Sequence, residues 1–479
     1  MRRVVRAVFA AAVFAVGCGI AFGFGLSAHA ATAAKVDVDF SSPAGAMRPL
    51  HGVNNAPIRI EDPKATQHEL AAAGVPFVRT HDSAGVALWG AEHLLDVCAL
   101  FPDFAADEND PKSYDFAITD AYLKPLVAAG IRIFYRLGQT YESFHKVKAY
   151  HTAPPADFAK YARVCEHIVA HYNEGWADGF RWNIEYWELW NEPEAGSGWS
   201  GTPAQFYELY RAVATRLKAR FPAVKVGGYG CSGLFESDSE YGGDRFARNH
   251  QVLAWLTNFV AYCASERTRA PLDFISWHMY ETDPERVTRH GRFARGLLDR
   301  YGFRNAENVF DEWNRCDWVE KGRFTKMRNH VGASFCASMF CLMQRDGCID
   351  KAMYYDAMPT CRYCGLFSFP EIETTPCYEA FCAYNELYRL GESYRCTVAG
   401  ERVYALAAGK GGRKAILIAR YSPKGDRAAA AVAFNVSGAD GEFRLLRIDA
   451  GHPKLTDCGA LRNGDRIQMP DDSVVLLRQ

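Results

Sequence analysis

Trp187-Glu-Leu-Trp-Asn-Glu-Pro193 and Phe310-Asp-Glu-Trp-Asn314 are the most informative stretches of this chain. Each is a short apolar run that ends in a carboxylate, Glu192 in the first stretch and Glu312 in the second. A strand that ends in Asn-Glu-Pro cannot extend its ladder, because proline has no N–H to donate. The sequence therefore predicts that both glutamates lie at strand ends and face a cleft.

Two carboxylates flanked by tryptophan and asparagine suit the hydrolysis of a glycosidic bond. One carboxyl group protonates the departing oxygen, and the other attacks or stabilises the sugar cation. Tryptophan offers a flat apolar face to a sugar ring, and asparagine offers an amide to its hydroxyls. The two stretches therefore indicate a carbohydrate-processing site, with an oligosaccharide or polysaccharide as the partner.

Composition narrows the class of protein. A chain of 479 residues with 49% hydrophobic residues can bury a large core. The net charge is −1, from 55 basic and 56 acidic residues that form no blocks. This balance gives no electrostatic reason to expect nucleic acid or a strongly acidic polymer as a ligand.

Residues 1–30 are predicted to be a secretory signal peptide. A basic segment at residues 2–6 precedes an apolar run to Leu26 and the small-residue cleavage pattern Ala28-His-Ala30. The apolar run is long, so an uncleaved membrane anchor is an alternative. Lipid attachment at Cys18 is a third. We expect an exported protein that is periplasmic, extracellular or on the cell surface.

Short apolar strands alternate with helical patterns along residues 35–390. This alternation predicts an all-parallel closed (β/α)8 barrel, a TIM barrel. Glu192 and Glu312 are about 120 residues apart, or three strand–helix units of roughly 40 residues, which places them after the fourth and seventh strands. An open doubly wound sheet is the competing interpretation, but it lacks a Gly-rich phosphate loop. The predicted strands are 50–53, 75–80, 131–137, 186–190, 224–228, 274–278, 308–311 and 351–355, and predicted helices include 64–73, 119–129, 157–172, 203–220 and 249–267.

After Gly391 the pattern changes to short strands separated by Gly, Asp and Pro. It predicts a small accessory domain over residues 391–479, an antiparallel β-sandwich-like fold packed against the barrel. The predicted strands are 403–408, 415–421, 429–436, 442–449, 466–469 and 473–477.

Further motifs follow one another in order along the chain: His51-Gly-Val-Asn-Asn-Ala-Pro57, Val78-Arg-Thr-His81, Tyr135-Arg-Leu-Gly138, Asp273-Phe-Ile-Ser-Trp-His-Met-Tyr280, Gly365-Leu-Phe367, Thr375-Pro-Cys-Tyr-Glu-Ala-Phe381 and Leu446-Arg-Ile-Asp449. With the two glutamate motifs, this ordered set resembles family 39 of the glycoside hydrolases. That family belongs to the clan of retaining (β/α)8-barrel enzymes and includes β-xylosidases and α-L-iduronidases. The resemblance covers most of the chain.

The resemblance implies a role for each matching residue. Glu192 would be the general acid/base and Glu312 the nucleophile, roughly 5–5.5 Å apart as in retaining enzymes. Asn191 would bind the hydroxyl next to the reacting carbon. Tyr280 would donate a hydrogen bond to the nucleophile, and Arg79 would hold it ionised. No cofactor and no catalytic metal is expected.

The resemblance also implies contacts around the sugar. His81 and His278 would contact hydroxyls, and Trp313 would form a wall of the subsite. The chain departs from the family at the eighth strand, where clan members often place a tryptophan and this chain reads Met353-Tyr-Tyr-Asp-Ala-Met358. Tyr355 is interpreted as the platform in its place.

Two neighbouring acids provide alternatives to the assigned pair. Asp311 could be the functional acid in place of Glu312, although regular alternation would turn it to the opposite face of the strand. Glu188 shares the inward face with Trp190 and is expected to be a structural charge paired with Arg79 or Arg136.

Fourteen cysteines follow the signal segment, nine of them between Cys316 and Cys396. Disulfides are the default expectation in an exported protein. Cys361-Arg-Tyr-Cys364 with Cys377 and Cys382 could instead bind structural zinc, and buried free thiols are the third possibility.

The mode of action depends on the loops. Long insertions at residues 84–113 and 139–156 favour a closed pocket that releases one terminal sugar, with a β-xyloside as the first candidate by family analogy. An endo-acting polysaccharide hydrolase and a non-catalytic carbohydrate-binding barrel are the alternatives. A neutral sugar is favoured over a uronic acid, because Arg79 is committed to the nucleophile and no other basic residue can be assigned to a sugar carboxylate. The loop cations Lys146, Lys148 and Arg315 are not placed by the sequence.

Overall fold

The computed structural model describes residues 34–55, 66–81, 95–139, 152–196, 198–234, 244–317, 319–423, 425 and 430–479, except for the side chains of residues 244–250. The predicted signal segment 1–30, with its alternatives of an anchor or a lipid at Cys18, lies outside the described residues. Among the residues that are described, no helix is both long and apolar enough to cross a membrane.

Strands and helices follow one another as the sequence predicts. The strands of the described residues are β1 (Ala34–Ala46), β2 (Gly52–Asn54), β3 (Phe77–Thr80), β4 (Arg132–Leu137), β5 (Tyr186–Leu189), β6 (Lys225–Cys231), β7 (Phe274–Glu281), β8 (Glu307–Arg315), β9 (Lys351–Tyr354), β10 (Glu392–Ala399), β11 (Val403–Lys410), β12 (Arg413–Arg420), β13 (Ala430–Ser437), β14 (Glu442–Asp449), β15 (His452–Arg462), β16 (Arg466–Met469) and β17 (Ser473–Arg478). The α-helices are α1 (Gln67–Ala72), α2 (Val97–Leu100), α3 (Ala117–Ala128), α4 (Phe158–Asn173), α5 (Pro203–Arg220), α6 (Asp244–Ala264), α7 (Pro284–Arg300), α8 (Arg323–Met327), α9 (His330–Asp346) and α10 (Pro376–Leu390).

The strands β2 to β9 close into an eight-stranded parallel barrel in sequence order. The predicted (β/α)8 fold is therefore confirmed, and each barrel strand overlaps its predicted range. One range differs in an important way: the predicted strand 308–311 continues as β8 to Arg315, so Glu312 lies within the strand. The carboxyl ends of all eight strands meet at one mouth of the barrel, where the site is built.

Local sequence signals set the helix boundaries. Helix α5 begins with a capping box, in which Thr202 accepts a hydrogen bond from the Gln205 N–H and the Gln205 side chain accepts one from the Thr202 N–H. Pro203 then occupies the first helical position, where no N–H is needed. Helix α10 shares two of these features: Thr375 accepts a hydrogen bond from the Tyr378 N–H as the cap, and Pro376 occupies the first helical position.

The bottom of the barrel is filled by a layer of buried apolar side chains: Phe77, Phe134, Tyr186, Phe274, Val309 and Met353. Below them Glu307 pairs with Lys225 and Lys351, each at 2.7 Å. The barrel is therefore closed at its amino-terminal end, and polar side chains collect above the apolar layer, at the opposite mouth.

The accessory domain is a mostly antiparallel sheet in the order β15-β14-β17-β12-β11-β10-β1-β13-β16. The pair β1 and β13 is parallel. Phe434 on β13 and Phe443 on β14 are far apart in this order, yet their rings lie 5.7 Å apart. The sheet therefore curls over itself around an apolar core. Its other face packs on α9 and α10, which lie between it and the barrel.

The predicted domain ranges need one correction. Residues 34–46 form β1, which pairs with β10 and β13 in the accessory sheet and not with the barrel. The sheet therefore takes its strands from both ends of the described chain, and the barrel range of 35–390 begins too early.

The fourteen described cysteines are free thiols, so the expectation of disulfides is wrong for this structure. Most are buried, including Cys364 and Cys377 of the proposed zinc set. Cys336 on α9 and Cys377 on α10 lie 3.4 Å apart, sulfur to sulfur. Within the described residues, the group with metal-ligand spacing is Glu192, His278 and Glu312, and it contains no cysteine.

Candidate active site

Glu192 follows β5 on a tightly turned segment. Trp190 and Glu192 have φ values of 77° and 45°, in the left-handed region that residues with a side chain rarely adopt. Backbone hydrogen bonds hold the segment: the Trp190 N–H donates to Leu137 O at 2.6 Å, and the Glu192 N–H donates to Gly230 O at 3.0 Å. Neighbouring strands therefore fix where the Glu192 side chain enters the barrel mouth.

A β-bulge in β8 places two consecutive acids inside the barrel. Trp277 pairs with Phe310 and His278 pairs with Glu312, so Asp311 is an extra residue in the register. Its carboxylate lies 2.9 Å from Arg79 Nε. The expectation that Asp311 faces away from the site is therefore wrong, because strand pairing does not continue regularly through it.

The two predicted glutamates meet at the mouth. An oxygen of Glu192, an oxygen of Glu312 and a ring nitrogen of His278 all lie within 4.8 Å of one another. The structure thus brings together the pair that the sequence singled out.

Glu312 is held by two strong donors. Arg79 Nη1 donates to its Oε1 at 2.8 Å, and the Tyr280 hydroxyl donates to its Oε2 at 2.8 Å. His81 Nε2 lies 3.6 Å from Oε1. Burial, and then the Glu312 carboxylate, raise the pKa of Tyr280 well above its ordinary value, so this hydroxyl keeps its proton. A fixed cation and a phenol together hold the Glu312 side chain in place.

Glu192 has a different partner. His278 Nδ1 lies 2.7 Å from Glu192 Oε1. Burial lowers the pKa of His278 to about 3, so the ring is neutral near pH 7. A neutral imidazole donates through one nitrogen and accepts through the other, and its tautomer adapts to its partner. The contact therefore suits a carboxyl group that gains and loses a proton.

Arg79 on β3 joins the polar groups of the site and is completely buried. Its partners are Glu188 Oε2 at 2.6 Å, Asp311 Oδ2 at 2.9 Å, Glu312 Oε1 at 2.8 Å, Asn191 Oδ1 at 2.9 Å and Asn54 Oδ1 at 3.0 Å. The predicted pairing of Glu188 with Arg79 is thus present. Arg136 instead donates to His81 O at 2.8 Å and binds Asp96.

Asn191 is buried beside the pair. Because its Oδ1 accepts from Arg79, its Nδ2 is the group left to donate to a ligand. Asn54 supports the same arginine and also donates to the Asp311 carbonyl at 2.5 Å. Two amides therefore keep the arginine in register with both carboxylates.

Three tyrosines line one side of the mouth. The ring centres of Tyr280, Tyr355 and Tyr363 lie 5.8 to 6.1 Å apart in pairs. Asn314 Nδ2 donates to the carbonyls of Tyr355 at 2.6 Å and Tyr363 at 2.8 Å, which fixes both loops. Tyr363 escaped prediction because it sits in a loop with no periodic pattern.

Trp313 does not form a wall of the site. Glu312 faces inward, so the residue after it, Trp313, faces outward. Trp313 is buried against Phe335 and Phe340 of α9. The role implied by the resemblance is therefore wrong for this tryptophan. It anchors the strand that carries Glu312.

Gly230 on β6 was also missed. A Cβ at this position would lie 3.0 Å from Arg79 Nη2, 3.0 Å from His278 Nε2 and 3.1 Å from Asn191 Oδ1. Its φ of 63° also favours glycine. The backbone thus approaches the site closely. The predicted strand 224–228 stopped two residues before it.

Glu194 follows Glu192 by two residues and is buried. The Ser232 N–H donates to it at 2.6 Å. Burial raises the pKa of Glu194 to about 7, and the Glu192 carboxylate adds to this. It is therefore a second titratable group near the proposed acid/base.

Arg315, one of the three cations that the sequence left unplaced, is committed to other protein groups. Arg315 is buried and binds Glu320 at 2.6 Å and the Tyr421 hydroxyl at 3.2 Å, which links the barrel to the accessory sheet. Lys146 and Lys148 lie outside the described residues, as does part of each predicted insertion.

Glu192, His278 and Glu312 have the spacing of a metal site. However, Arg79 places a fixed positive charge 2.8 Å from the Glu312 carboxylate. That charge opposes a cation bound to the same group. The arrangement suits proton transfer and nucleophilic attack better than metal binding.

Comparison with known proteins finds a family match for part of the chain. Residues 88–292 match the model of glycosyl hydrolases family 39. A curated beta-xylosidase from Caldicellulosiruptor saccharolyticus is 23% identical over 182 residues, which are 36% of this chain and 32% of that protein. The alignment thus spans about a third of the length of this relative.

Solved structures match over nearly the whole chain. A glucosidase from Croceicoccus marinus aligns with a TM-score of 0.72 and 25% identity, over 93% of this chain and 98% of the other. A monomeric beta-xylosidase from Caulobacter crescentus CB15 aligns with a TM-score of 0.68 and 17% identity, over 92% and 98%. Residues 88–292 are thus similar to glycosyl hydrolase family 39, and the whole fold is similar to that of solved glycosidases.

Proposed function

We propose that this protein is a retaining glycoside hydrolase that removes a terminal sugar by double displacement, with Glu192 as acid/base and Glu312 as nucleophile. The observation that carries the proposal is the approach of the two carboxylates to within 4.8 Å. Retaining pairs stand roughly 5–5.5 Å apart, whereas inverting pairs need roughly 6.5–9.5 Å to admit a water molecule. At this spacing no water molecule fits between Glu312 and the sugar, so the Glu312 carboxylate itself would contact the sugar.

The first step forms a glycosyl–enzyme ester. Glu192 gives its proton to the departing glycosidic oxygen while a Glu312 oxygen bonds to the anomeric carbon and the C–O bond breaks. In the second step, Glu192 as carboxylate takes a proton from water. The resulting nucleophile bonds to the anomeric carbon and releases Glu312. Both residues finish in their starting protonation states.

The environments of the two glutamates support this division of roles. Glu312 accepts hydrogen bonds from a guanidinium and a phenol, which orient its carboxylate for attack. Glu192 faces a neutral imidazole, and its side chain is more exposed, at 14% against 6% for Glu312. A carboxyl group that must exchange protons with leaving group and water benefits from that access.

The substrate we favour is a neutral terminal β-xyloside. The curated relative and one structural neighbour are beta-xylosidases. Among described residues the cations nearest the pair are committed to protein carboxylates, as Arg79 is to Glu312 and Arg315 is to Glu320. A β-glucoside is the second candidate, because the Croceicoccus glucosidase aligns with 25% identity over 93% of this chain.

We also propose export, on the strength of the N-terminal signal pattern alone.

A panel of chromogenic pentosides, hexosides and uronides tests the substrate. We expect kcat/KM to be highest for β-xyloside, with Glu312→Gln as the inactive control. Faster turnover of uronides than of pentosides would contradict the neutral-sugar proposal.

A ladder of labelled oligosaccharides tests the mode of action. Stepwise loss of one sugar at a time is expected of a pocket. Early fragments of intermediate length would show an open groove and an endo-acting enzyme. Binding of the ladder without any hydrolysis would favour a non-catalytic carbohydrate-binding barrel.

A further inference from the structure

Three acidic groups surround one arginine in the barrel. Glu188 Oε2 and Asp311 Oδ2 lie 2.6 and 2.9 Å from Arg79 Nε. The side chains of Glu188, Asp311 and Arg79 are completely buried. Glu312 Oε1 lies 2.8 Å from Nη1 of the same arginine. Three carboxylates and one guanidinium would leave two uncompensated negative charges among buried side chains. Such an excess of like charge is costly at this depth.

Hydrogen bonds distinguish the three acids. Glu188 accepts from Arg79 Nε and from the Ser276 hydroxyl. Glu312 accepts from Arg79 Nη1 and from a tyrosine. Neither oxygen of Asp311 accepts a hydrogen bond from any residue that the structure describes. The single hydrogen on Arg79 Nε points to Glu188, so Asp311 is the acid least stabilised as an anion.

We propose that Asp311 is a neutral carboxylic acid whose hydrogen is shared with Glu188, and that this proton lets Arg79 remain bound to Glu312. Asp311 is thus a positioning residue that acts through the arginine. The cluster then holds one positive and two negative charges. It becomes neutral when Glu312 forms the glycosyl ester. This last consequence rests on the proposed function, whereas the protonation of Asp311 does not.

The groups around Asp311 agree with this assignment. They are Arg79 on β3, Glu188 on β5, His278 on β7 at 3.6 Å and Glu312 beside it. Burial raises the pKa of Asp311 well above its ordinary value, and the Glu188 carboxylate raises it further against the opposing effect of Arg79. For Glu188, burial is outweighed by Arg79 and by hydrogen bonds from Asp311 and Ser276, which hold its pKa below the ordinary value. His278 is neutral and adds no charge.

The direct test is infrared spectroscopy of the full chain without substrate. We expect the wild type to keep a protonated-carboxyl band in the alkaline range, above the pKa of about 7 of Glu194, and this band should be absent in Asp311→Asn. No such band in the wild type, or a band that survives unchanged in Asp311→Asn, would overturn the proposal. Because no substrate is present, this result is independent of the proposed glycosidase activity. If Asp311→Asn does not fold, the wild-type spectrum alone still tests the proposal.

Kinetics with a chromogenic glycoside provide the second test. Asparagine can donate to Glu188 as the acid does, so Asp311→Asn should lower kcat/KM by about tenfold or less. Glu188→Gln, the matched isosteric change, removes a required charge and should cost about a hundredfold or more. Activity that is lost when Asp311 ionises in alkaline solution should be retained in Asp311→Asn, because asparagine cannot ionise. The alkaline limb of the pH profile should therefore move to higher pH, a shift that a purely structural role would not cause. Equal losses in the two variants, with an unchanged pH profile, would overturn the shared proton.

Discussion

Single residues at the barrel mouth divide the chemistry through their partners. Glu312 is fixed by Arg79 and Tyr280, while Glu192 touches the neutral ring of His278. The two glutamates were predicted from the sequence, and the resemblance implied the contacts of Arg79 and Tyr280 with Glu312. It assigned His278 to a sugar hydroxyl and not to Glu192. The sequence could not predict Gly230, because a glycine is selected here by what approaches it in space. The resemblance assigned Trp313 to the site, yet the alternation of the strand turns it outward.

Substitution of the two glutamates should give distinct kinetic signatures. Glu312→Ala should abolish turnover of every glycoside, because no ester can form. Glu192→Ala should lose roughly 10²–10⁴-fold on natural substrates and far less on those with acidic leaving groups, which need no proton. Steady-state rates on paired substrates measure this. Equal losses by Glu192→Ala on both would remove it as the acid.

Gly230→Ala tests how tightly the site is packed. The new methyl group would press on Arg79, His278 and Asn191, and the backbone at φ 63° adds strain. We expect kcat/KM to fall by about tenfold or more, since small displacements of catalytic groups are costly. Gly296→Ala in α7 is the matched control, because its Cβ meets nothing within 4 Å. Similar activity in the two variants would show that the site tolerates the shift.

At the level of elements, periodicity predicted every barrel strand, because parallel strands are short apolar runs between helices. Strands β10 and β15 escaped prediction, since alternate or most side chains on them are exposed and polar. The β8 bulge at Asp311 also escaped, because register is set by the partner strand and not by the strand's own residues. That bulge is what brings a third acid to the arginine.

Half of the fourteen described cysteines lie on α9, on α10 or between these two helices. Titration of denatured, unreduced mature protein should find all fourteen thiols, and a reductant should leave the melting temperature unchanged. The closest sulfur pair, Cys336 and Cys377, joins the two helices. A count of about twelve with a lower Tm in reductant would show a disulfide between them.

For the whole molecule, the fold couples the site to the accessory sheet. Helices α9 and α10 lie between the barrel and the sheet, and Arg315 reaches across to Tyr421. The sequence predicted both domains, but not that β1 crosses to the sheet, because its partners β10 and β13 are more than 340 residues away in sequence. Pairing at that distance leaves no local signal.

The stability of the whole protein should fall in acid. Burial lowers the pKa of His51 to about 4 and of His278 to about 3, against roughly 6.5 in an unfolded chain. The unfolded state therefore binds more protons below about pH 6.5, and the stability that these neutral rings contribute is lost as pH falls toward 4 and 3. Thermal unfolding across this range measures the effect. His51→Gln should reduce the slope, and the same change at exposed His68 should not.

The central claim is that Glu312 is the nucleophile of a retaining glycosidase. An activated 2-deoxy-2-fluoro glycoside, of the sugar that the chromogenic panel selects, tests it most directly. Fluorine slows both steps, while a good leaving group keeps the first one fast, so the glycosyl–enzyme ester accumulates. Mass spectrometry should show one added fluoroglycosyl group, and peptide mapping should place it on Glu312. A label on Asp311 or Glu192, or turnover without any label, would contradict the claim.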